Sequence, residues 1–277
     1  MNDRLEPGLH IVATPIGNLG DLSPRAADTL RRADRILVED TRVTAKLLAH
    51  IGAKVPMTRY DDHSSENDRS AIVARLGEEA IALVSDAGTP LISDPGYKLV
   101  RAARSAGHAV RTIPGPCAAI AALTVAGLPT DRFLFLGFLP AKAKAKADAI
   151  AELSGLKATL ILYEGGPRLG DTLLALSSGL GARDAAVARE LTKFHEECVT
   201  GPLDELAQRY VDAPPKGEIV IVVGPPSEAQ MVSDEDLDAA LDAAMERLTP
   251  SRAAAEVAEQ LSIPRKRAYA RALERGK

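Results

Sequence analysis

"AIALVSDAGTPLISDPG", residues 80–96, sets the frame for the rest of the chain. An apolar run, Ile81 to Val84, stops abruptly at Ser85 and Asp86. Asp86, Gly88, Pro90, Asp94, Pro95 and Gly96 then crowd into eleven positions. A short, unbroken apolar run bounded by turn residues is the pattern of a strand covered on both faces. The polar stretch beyond it is either a pair of turns or a binding loop at the strand's carboxyl end. Asp86 can accept a hydrogen bond from a ligand amine or hydroxyl. Gly88 and Gly96 let backbone groups approach closely, and Pro90 and Pro95 stiffen the loop and lower the entropy cost of binding.

The same pattern recurs on either side. Strand-like runs fall at Leu9–Ala13, Ile36–Glu39, Ala109–Ile113, Phe133–Phe138, Thr159–Tyr163, Ala185–Ala188 and Ile219–Val223. Helical segments lie between them at Pro24–Arg32, Thr44–His50, Asn67–Leu76, Gly96–Ala106, Pro116–Ala126, Ala143–Leu153, Pro167–Leu176 and Leu203–Tyr210. Such alternation predicts α/β architecture with mostly parallel sheets. The turn cluster "GLPTDR", 127–132, divides it into two α/β domains, 8–127 and 132–226. The polar stretch "GPPSEAQMVSDED" from Gly224 reads as a linker. Beyond it, residues 232–277 are helical only, with segments Asp234–Leu248, Ser251–Leu261 and Pro264–Glu274. The last two, joined by "SIP", resemble a helix-turn-helix, with Ser251 and Pro264 as start signals. "AKAKAKADA", 141–149, reads as an exposed helix start or loop.

With 277 residues, 46% apolar and 26% charged, the chain suits two soluble domains. It has no run of 18 apolar residues and no signal-peptide core at its amino end, so a cytoplasmic protein without a membrane span is expected. Cys117 and Cys198 have neither metal-ligand nor redox spacing, which predicts no disulfide and no metal site. Trp is absent and aromatics are 3%, so nucleic-acid binding would lean on charge and shape more than on stacking. The net charge of −4 is uneven: residues 249–277 carry seven basic and three acidic side chains, net +4, leaving −8 on the rest. That tail is either a site for a polyanion or a solvated basic helix.

Three more loops come after predicted strands, where open α/β sheets place their ligands. "TPIGNLGD", 14–21, is neither a dinucleotide fingerprint nor a nucleotide-triphosphate loop. It is a tight turn, or a place where Gly17 and Gly20 admit a ligand to the backbone. "EDTRVT", 39–44, sets two carboxylates beside an arginine, and serves equally as a helix start capped by Asp40 or Thr41. "PGPCAAI", 114–120, places a proline at a helix start, whose free N–H groups can bind an acceptor.

These loops, in this order, together with "YEGGPRL" (163–169), "ARELTKFHEE" (188–197) and "KGEIVIVV" (216–223), resemble the ribosomal RNA small subunit methyltransferase I group of the tetrapyrrole methylase superfamily, the class III S-adenosylmethionine methyltransferases. The resemblance spans essentially the whole chain. It implies a homodimeric enzyme that 2′-O-methylates a cytidine in the decoding region of 16S rRNA within the 30S subunit. It also implies a folded S-adenosylmethionine held in the cleft between the domains. Pro15, Asp86, Gly88, Thr89, Cys117 and Ala118 would line that site from the first domain, and Tyr163, Ala188 and Gly217 would close it from the second. In one place the chain departs from the group: where Ser or Ala, a variable residue and His usually precede Arg-Leu, it has Gly165-Gly166-Pro167.

Methyl transfer to a ribose hydroxyl requires in-line positioning and a proton acceptor, with no metal. Glu39, Arg42, His63 and Glu190 are the catalytic candidates, beside Asp40. Arg42, Arg189 and Lys193 are candidates for RNA phosphate, as are Arg265, Lys266 and Arg267 in the tail. His63, a lone loop histidine, reads more readily as a surface residue, and Glu190 with Arg189 equally as a structural ion pair. Two rivals share the frame: a methyltransferase for a small tetrapyrrole-type substrate, and a non-enzymatic ribosome-assembly factor.

Overall fold

The computed structural model describes residues 4–61, 63–211, 213–226, 234–261 and 263–275. Most of the linker read from Gly224, and Val232 and Ser233 of the expected helical segment, lie outside the described residues. The chain divides into two compact units, residues 1–121 with 190–196, and residues 122–189 with 197–277.

In the first unit, β1 (Gly8–Val12), β2 (Arg35–Val38), β3 (Met57–Arg59), β4 (Ala80–Leu83) and β5 (Val110–Ile113) form one sheet, ordered β3-β2-β4-β1-β5. Every pairing in it is parallel. Alternate side chains enter two cores. Val12, Ile36, Val38, Ala82 and Val84 pack with Leu30 of α1 (Pro24–Arg32) and Leu47 of α2 (Thr41–His50). Leu9, Ile11, Leu37, Ile81 and Leu83 pack with Ile72 of α3 (Glu66–Arg75) and Leu99 of α4 (Tyr97–Ser105). Both strand faces are dry, which is why these runs read as continuously apolar.

In the second unit, β6 (Phe133–Phe138), β7 (Thr159–Gly165), β8 (Asp184–Arg189), β9 (Glu197–Pro202) and β10 (Glu218–Val223) are ordered β6-β7-β10-β8-β9. Leucines of α7 (Leu169–Leu180) and α8 (Leu203–Val211), with Ile150 of α6 (Ala143–Ala151), cover one face. Here the mostly parallel expectation meets a local exception. Only β6–β7 is a parallel pair; β7–β10, β10–β8 and β8–β9 are antiparallel. The cause is one short link. Residues 190–196 join β8 to β9 without a helix, so the chain reverses there. Each helix still connects strands running the same way, but β10 then inserts between β7 and β8 against their direction.

Two further elements depart from the reading of the sequence. β3 and β9 have no continuous apolar run and carry half-buried or exposed positions throughout. The lysine-rich stretch 141–149 is not wholly exposed: Lys146 in α6 is buried, and its ammonium donates to Thr172 Oγ1 at 3.0 Å.

The carboxyl-terminal helices α9 (Asp234–Met245), α10 (Pro250–Gln260) and α11 (Arg265–Arg275) share their own core of Leu237, Leu241, Val257, Ile263 and alanines. α10 begins one residue before the expected Ser251, with Pro250 in its first turn and Thr249 at the cap position.

Candidate functional site

At the carboxyl ends of the first sheet the loops lock together. Beyond β1, Thr14 forms a two-bond bridge with Gly88 beyond β4, N–H to carbonyl at 2.9 and 3.1 Å. Thr89 Oγ1 donates to the Pro116 carbonyl at 2.9 Å, tying the β4 loop to the β5 loop. Cys117 and Ala118 then start α5 (Ala118–Val125), where the Cys117 carbonyl accepts from Ala121 N–H. Pro15, Gly88, Thr89, Cys117 and Ala118 are thereby brought into one cluster, built mainly from backbone. Gly88 has φ +79°, and a Cβ there would stand 3.1 Å from Ile16 Cγ2. The loop also holds Leu91 and Ser93 at φ 74° and 62°, unusual for residues with side chains. Burial pushes the Asp94 carboxyl above its ordinary range, partly offset by a hydrogen bond from Ser85.

Asp86 reaches the other way. Its Oδ1 accepts the Asp40 N–H at 3.1 Å, so it positions the start of α2. Asp40 caps that helix by accepting Arg42 N–H at 2.8 Å, and the Arg42 guanidinium grips the same carboxylate, Nη2 to Oδ2 at 2.6 Å. Those contacts hold the Asp40 carboxyl down at about 2. Glu39, Asp40, Thr41, Arg42, Arg59 and Asp86 line a cavity of ≈ 420 Å³. The "EDTR" motif is therefore both a helix cap and a polar wall. Arg59, at the end of β3, is not visible from sequence because three residues with no apolar run carry no strand signal. His63 stands apart from that wall; it is exposed in the turn before α3, its N–H bonded to Asp61 Oδ1.

Glu190 and Lys193 also belong to the first unit, paired at 3.1 Å. Arg189 belongs to the second, where its carboxylate partner is Glu197 at 3.0 Å. The neighbours Arg189 and Glu190 therefore divide between two ion pairs.

In the second unit, strand register makes a row that no sequence spacing shows. Tyr163 on β7 and Ala188 on β8 both lie opposite Val220 on β10. Phe138 on β6 extends the row at one end and Cys198 on β9 at the other. These side chains share the face opposite the α7–α8 core. The Tyr163 ring meets Phe135 and Phe138 edge-on, at 4.9 and 5.7 Å. Gly217, exposed with φ 100°, leads into β10 three residues before Val220.

Within Gly165-Gly166-Pro167, the middle glycine answers a steric demand. A Cβ on Gly166 would lie 1.8 Å from the Pro215 carbonyl oxygen, so only glycine lets the backbones pass. Beside it Glu164, its side chain 1% exposed, accepts from Gly165 N–H at 2.8 Å, Thr172 Oγ1 at 2.7 Å and Arg168 Nη2 at 3.2 Å.

In the tail, α11 and α9 form a charge ladder. Arg267 pairs with Asp234 at 2.9 Å, Arg271 with Asp238 at 2.7 Å, and Arg275 with Asp238 and Asp242. Arg265 and Lys266 are exposed and have no carboxylate partner among the described residues.

This α/β fold is also found in known proteins. The family model described as tetrapyrrole (corrin/porphyrin) methylases matches residues 8–207. A second, described as the RsmI C-terminal HTH domain, matches residues 232–276. The uroporphyrin-III C-methyltransferase of Thermus thermophilus, solved with S-adenosylhomocysteine, shares the fold: TM-score 0.54 and 20% identity over 78% of this chain and 97% of that one. Two curated relatives carry the name ribosomal RNA small subunit methyltransferase I. That of Erythrobacter litoralis is 56% identical over 98% of this chain and 96% of its own. That of Mesorhizobium japonicum is 46% identical over 98% and 92%. The chain belongs to the tetrapyrrole methylase family and, within it, to the ribosomal RNA small subunit methyltransferase I group.

Proposed function

We propose that this protein is an S-adenosylmethionine-dependent methyltransferase of small-subunit ribosomal RNA, and that it methylates the ribose 2′-oxygen of a cytidine in the decoding region of 16S rRNA. The observation that carries the reading is identity of 56% that runs through both the catalytic frame and the carboxyl-terminal helices. A small tetrapyrrole-type substrate is not favoured, because relatives matched at this level are named for rRNA.

The loop cluster fits S-adenosylmethionine. Its wall is backbone and small side chains at Pro15, Gly88, Thr89, Cys117 and Ala118, a cradle that a Cβ at Gly88 would narrow. The cofactor supplies an activated sulfonium methyl when bound. Asp86 holds the β4 loop against the start of α2 and so shapes the cradle. Tyr163, Ala188 and Gly217 remain further cofactor candidates. Asp40, held at about 2 by Arg42, is a poor proton acceptor at neutral pH. Glu39 in the same cavity is the carboxylate to which we assign the ribose proton, and Arg42 and Arg59 face substrate phosphate. In the tail, Arg265 and Lys266 meet RNA, while Arg267 is bound into the ladder. A homodimer completes the reading, supported by the exposed apolar edge of β6, where Phe133, Leu134 and Phe138 are uncovered. No helix among the described residues is long and apolar enough to cross a membrane, and we place the protein in the cytoplasm.

The test is tritiated methyl transfer from S-adenosylmethionine to 30S subunits lacking the modification, with free 16S rRNA in parallel. Label on a cytidine 2′-oxygen is the expected result. Cofactor binding with no label on either RNA returns the chain to small-molecule chemistry. Glu39→Gln is expected to lower kcat by about 10²- to 10⁴-fold with cofactor affinity intact.

A further inference from the structure

The segment between β8 and β9 bears several costs. Glu190 and Thr192 sit at φ 50° and 66°, the left-handed region, where a β-branched threonine is a genuine outlier. Thr192 Oγ1 is buried with no hydrogen-bond partner among the described residues. Phe194 is 96% exposed, in a chain with four phenylalanines and no tryptophan. Strain and an orphaned polar atom persist where function holds them.

The turn is nonetheless pinned. Leu191 is buried. Lys193 N–H donates to the Glu190 carbonyl at 3.0 Å, and Glu196 N–H to the Lys193 carbonyl at 3.2 Å. Glu196 Oε2 accepts Thr192 N–H at 2.6 Å. The Lys193 stem crosses the loop after β1 so closely that a Cβ on Gly17 would lie 2.5 Å from Lys193 Cγ. Phe194 therefore projects from a fixed turn beside a loop of the candidate site, and its ring meets the edge of His195 at 5.0 Å.

We propose that Phe194 is the stacking platform for an unpaired nucleobase of the RNA substrate, an inference that rests on the rRNA methyltransferase reading of this chain. RNA is read chiefly through unpaired bases splayed onto aromatic faces, and a face held rigid in advance spends little entropy on binding. The neighbours favour a base over a second copy of the chain. His195 and Glu196 are exposed and polar and Lys193 is half-buried, so Phe194 is not the centre of an apolar patch. The apolar edge that suits a second copy is on β6. Composition alone points away from stacking; one aromatic in the right place is sufficient for it.

The experiment compares Phe194→Ala, Phe194→Leu and Phe194→Trp in methyl transfer to 30S subunits lacking the modification. With so little packed against the ring, all three are expected to fold. The expected result is a fall in kcat/KM of roughly 10- to 100-fold for Ala, a similar loss for Leu, and recovery for Trp. S-adenosylmethionine affinity and mass in solution stay unchanged. Wild-type activity in Phe194→Ala, full rescue by Leu, or a change in cofactor affinity or assembly overturns the proposal. A wild-type enzyme that methylates no 30S removes the underlying reading and the proposal with it, whereas active wild type beside an equally active Ala variant removes the stacking role alone.

Discussion

The two sheets use their residues in opposite ways. The first delivers its candidate site beyond the strand ends, in loops whose backbone is bound to backbone at Thr14–Gly88 and whose side-chain tie runs from Thr89 to a carbonyl. The second delivers its candidates on the strands themselves, as a row of side chains set by register through Val220. A loop cradle needs glycine and proline, and those residues are visible in a sequence. A strand row needs only ordinary residues at positions fixed by pairing, and pairing is not visible. The second sheet also carries its polar support inside, at Glu164 and Lys146, where the first keeps its charges at the rim.

That contrast predicts which changes unfold the protein and which disarm it. The largest stability loss is expected from Glu164→Ala. It leaves the buried Lys146 with the Thr172 hydroxyl as its hydrogen-bond partner and no carboxylate behind that hydroxyl. Breaking a buried ion network in this way costs about 3–5 kcal/mol. Urea denaturation measures it, and a loss near that of an exposed ion pair would show that the network is not a unit. Gly166→Ala comes next, because the clash is with backbone that no rotamer change relieves; about 3 kcal/mol is expected by the same method. Gly88→Ala is the counterpart in the first sheet. Its left-handed backbone and a 3.1 Å contact to a side-chain methyl predict only about 1–2 kcal/mol, with a clear loss of S-adenosylmethionine affinity in a calorimetric titration. If Gly88→Ala destabilised more than Gly166→Ala, or left cofactor affinity unchanged, the contrast between the two sheets would fail.

Most of the first sheet is legible in the sequence because β1, β2 and β4 are dry on both faces and the runs at β1, β4 and β5 end in glycine- or proline-marked loops. β3 is not legible, since a three-residue edge strand has no period to detect. In the second sheet the helical crossovers are readable, but the reversal through residues 190–196 is not: Glu190 and Thr192 make that turn without glycine or proline. The candidate site divides in the same way. Pro15, Asp86, Gly88 and Cys117 stand out by their loops, whereas the alignment of Tyr163 and Ala188 on either side of Val220 depends on where β10 inserts. In the sequence the basic tail shows seven cations and no sign of their partners. Three of them face aspartates spaced four residues apart on α9, a match that exists only once the two helices lie side by side.

The smallest expected effect concerns a single carboxyl at the rim of the first sheet. Arg42 lowers Asp40 to about 2, through the side-chain hydrogen bond first and the Arg42 N–H second. A folded value below the unfolded one means that Asp40 favours the native state above the ordinary carboxylate range, and that this preference is lost as pH falls toward about 2. Arg42→Ala removes the guanidinium but keeps the backbone N–H, so the titration midpoint should rise only part of the way back. Carboxyl carbon shifts of Asp40 followed by NMR from about pH 6 to about pH 1.5 would read it. Because Arg42 is largely exposed, global stability at neutral pH should scarcely move. An unchanged Asp40 midpoint would mean that the helix start alone sets the carboxyl.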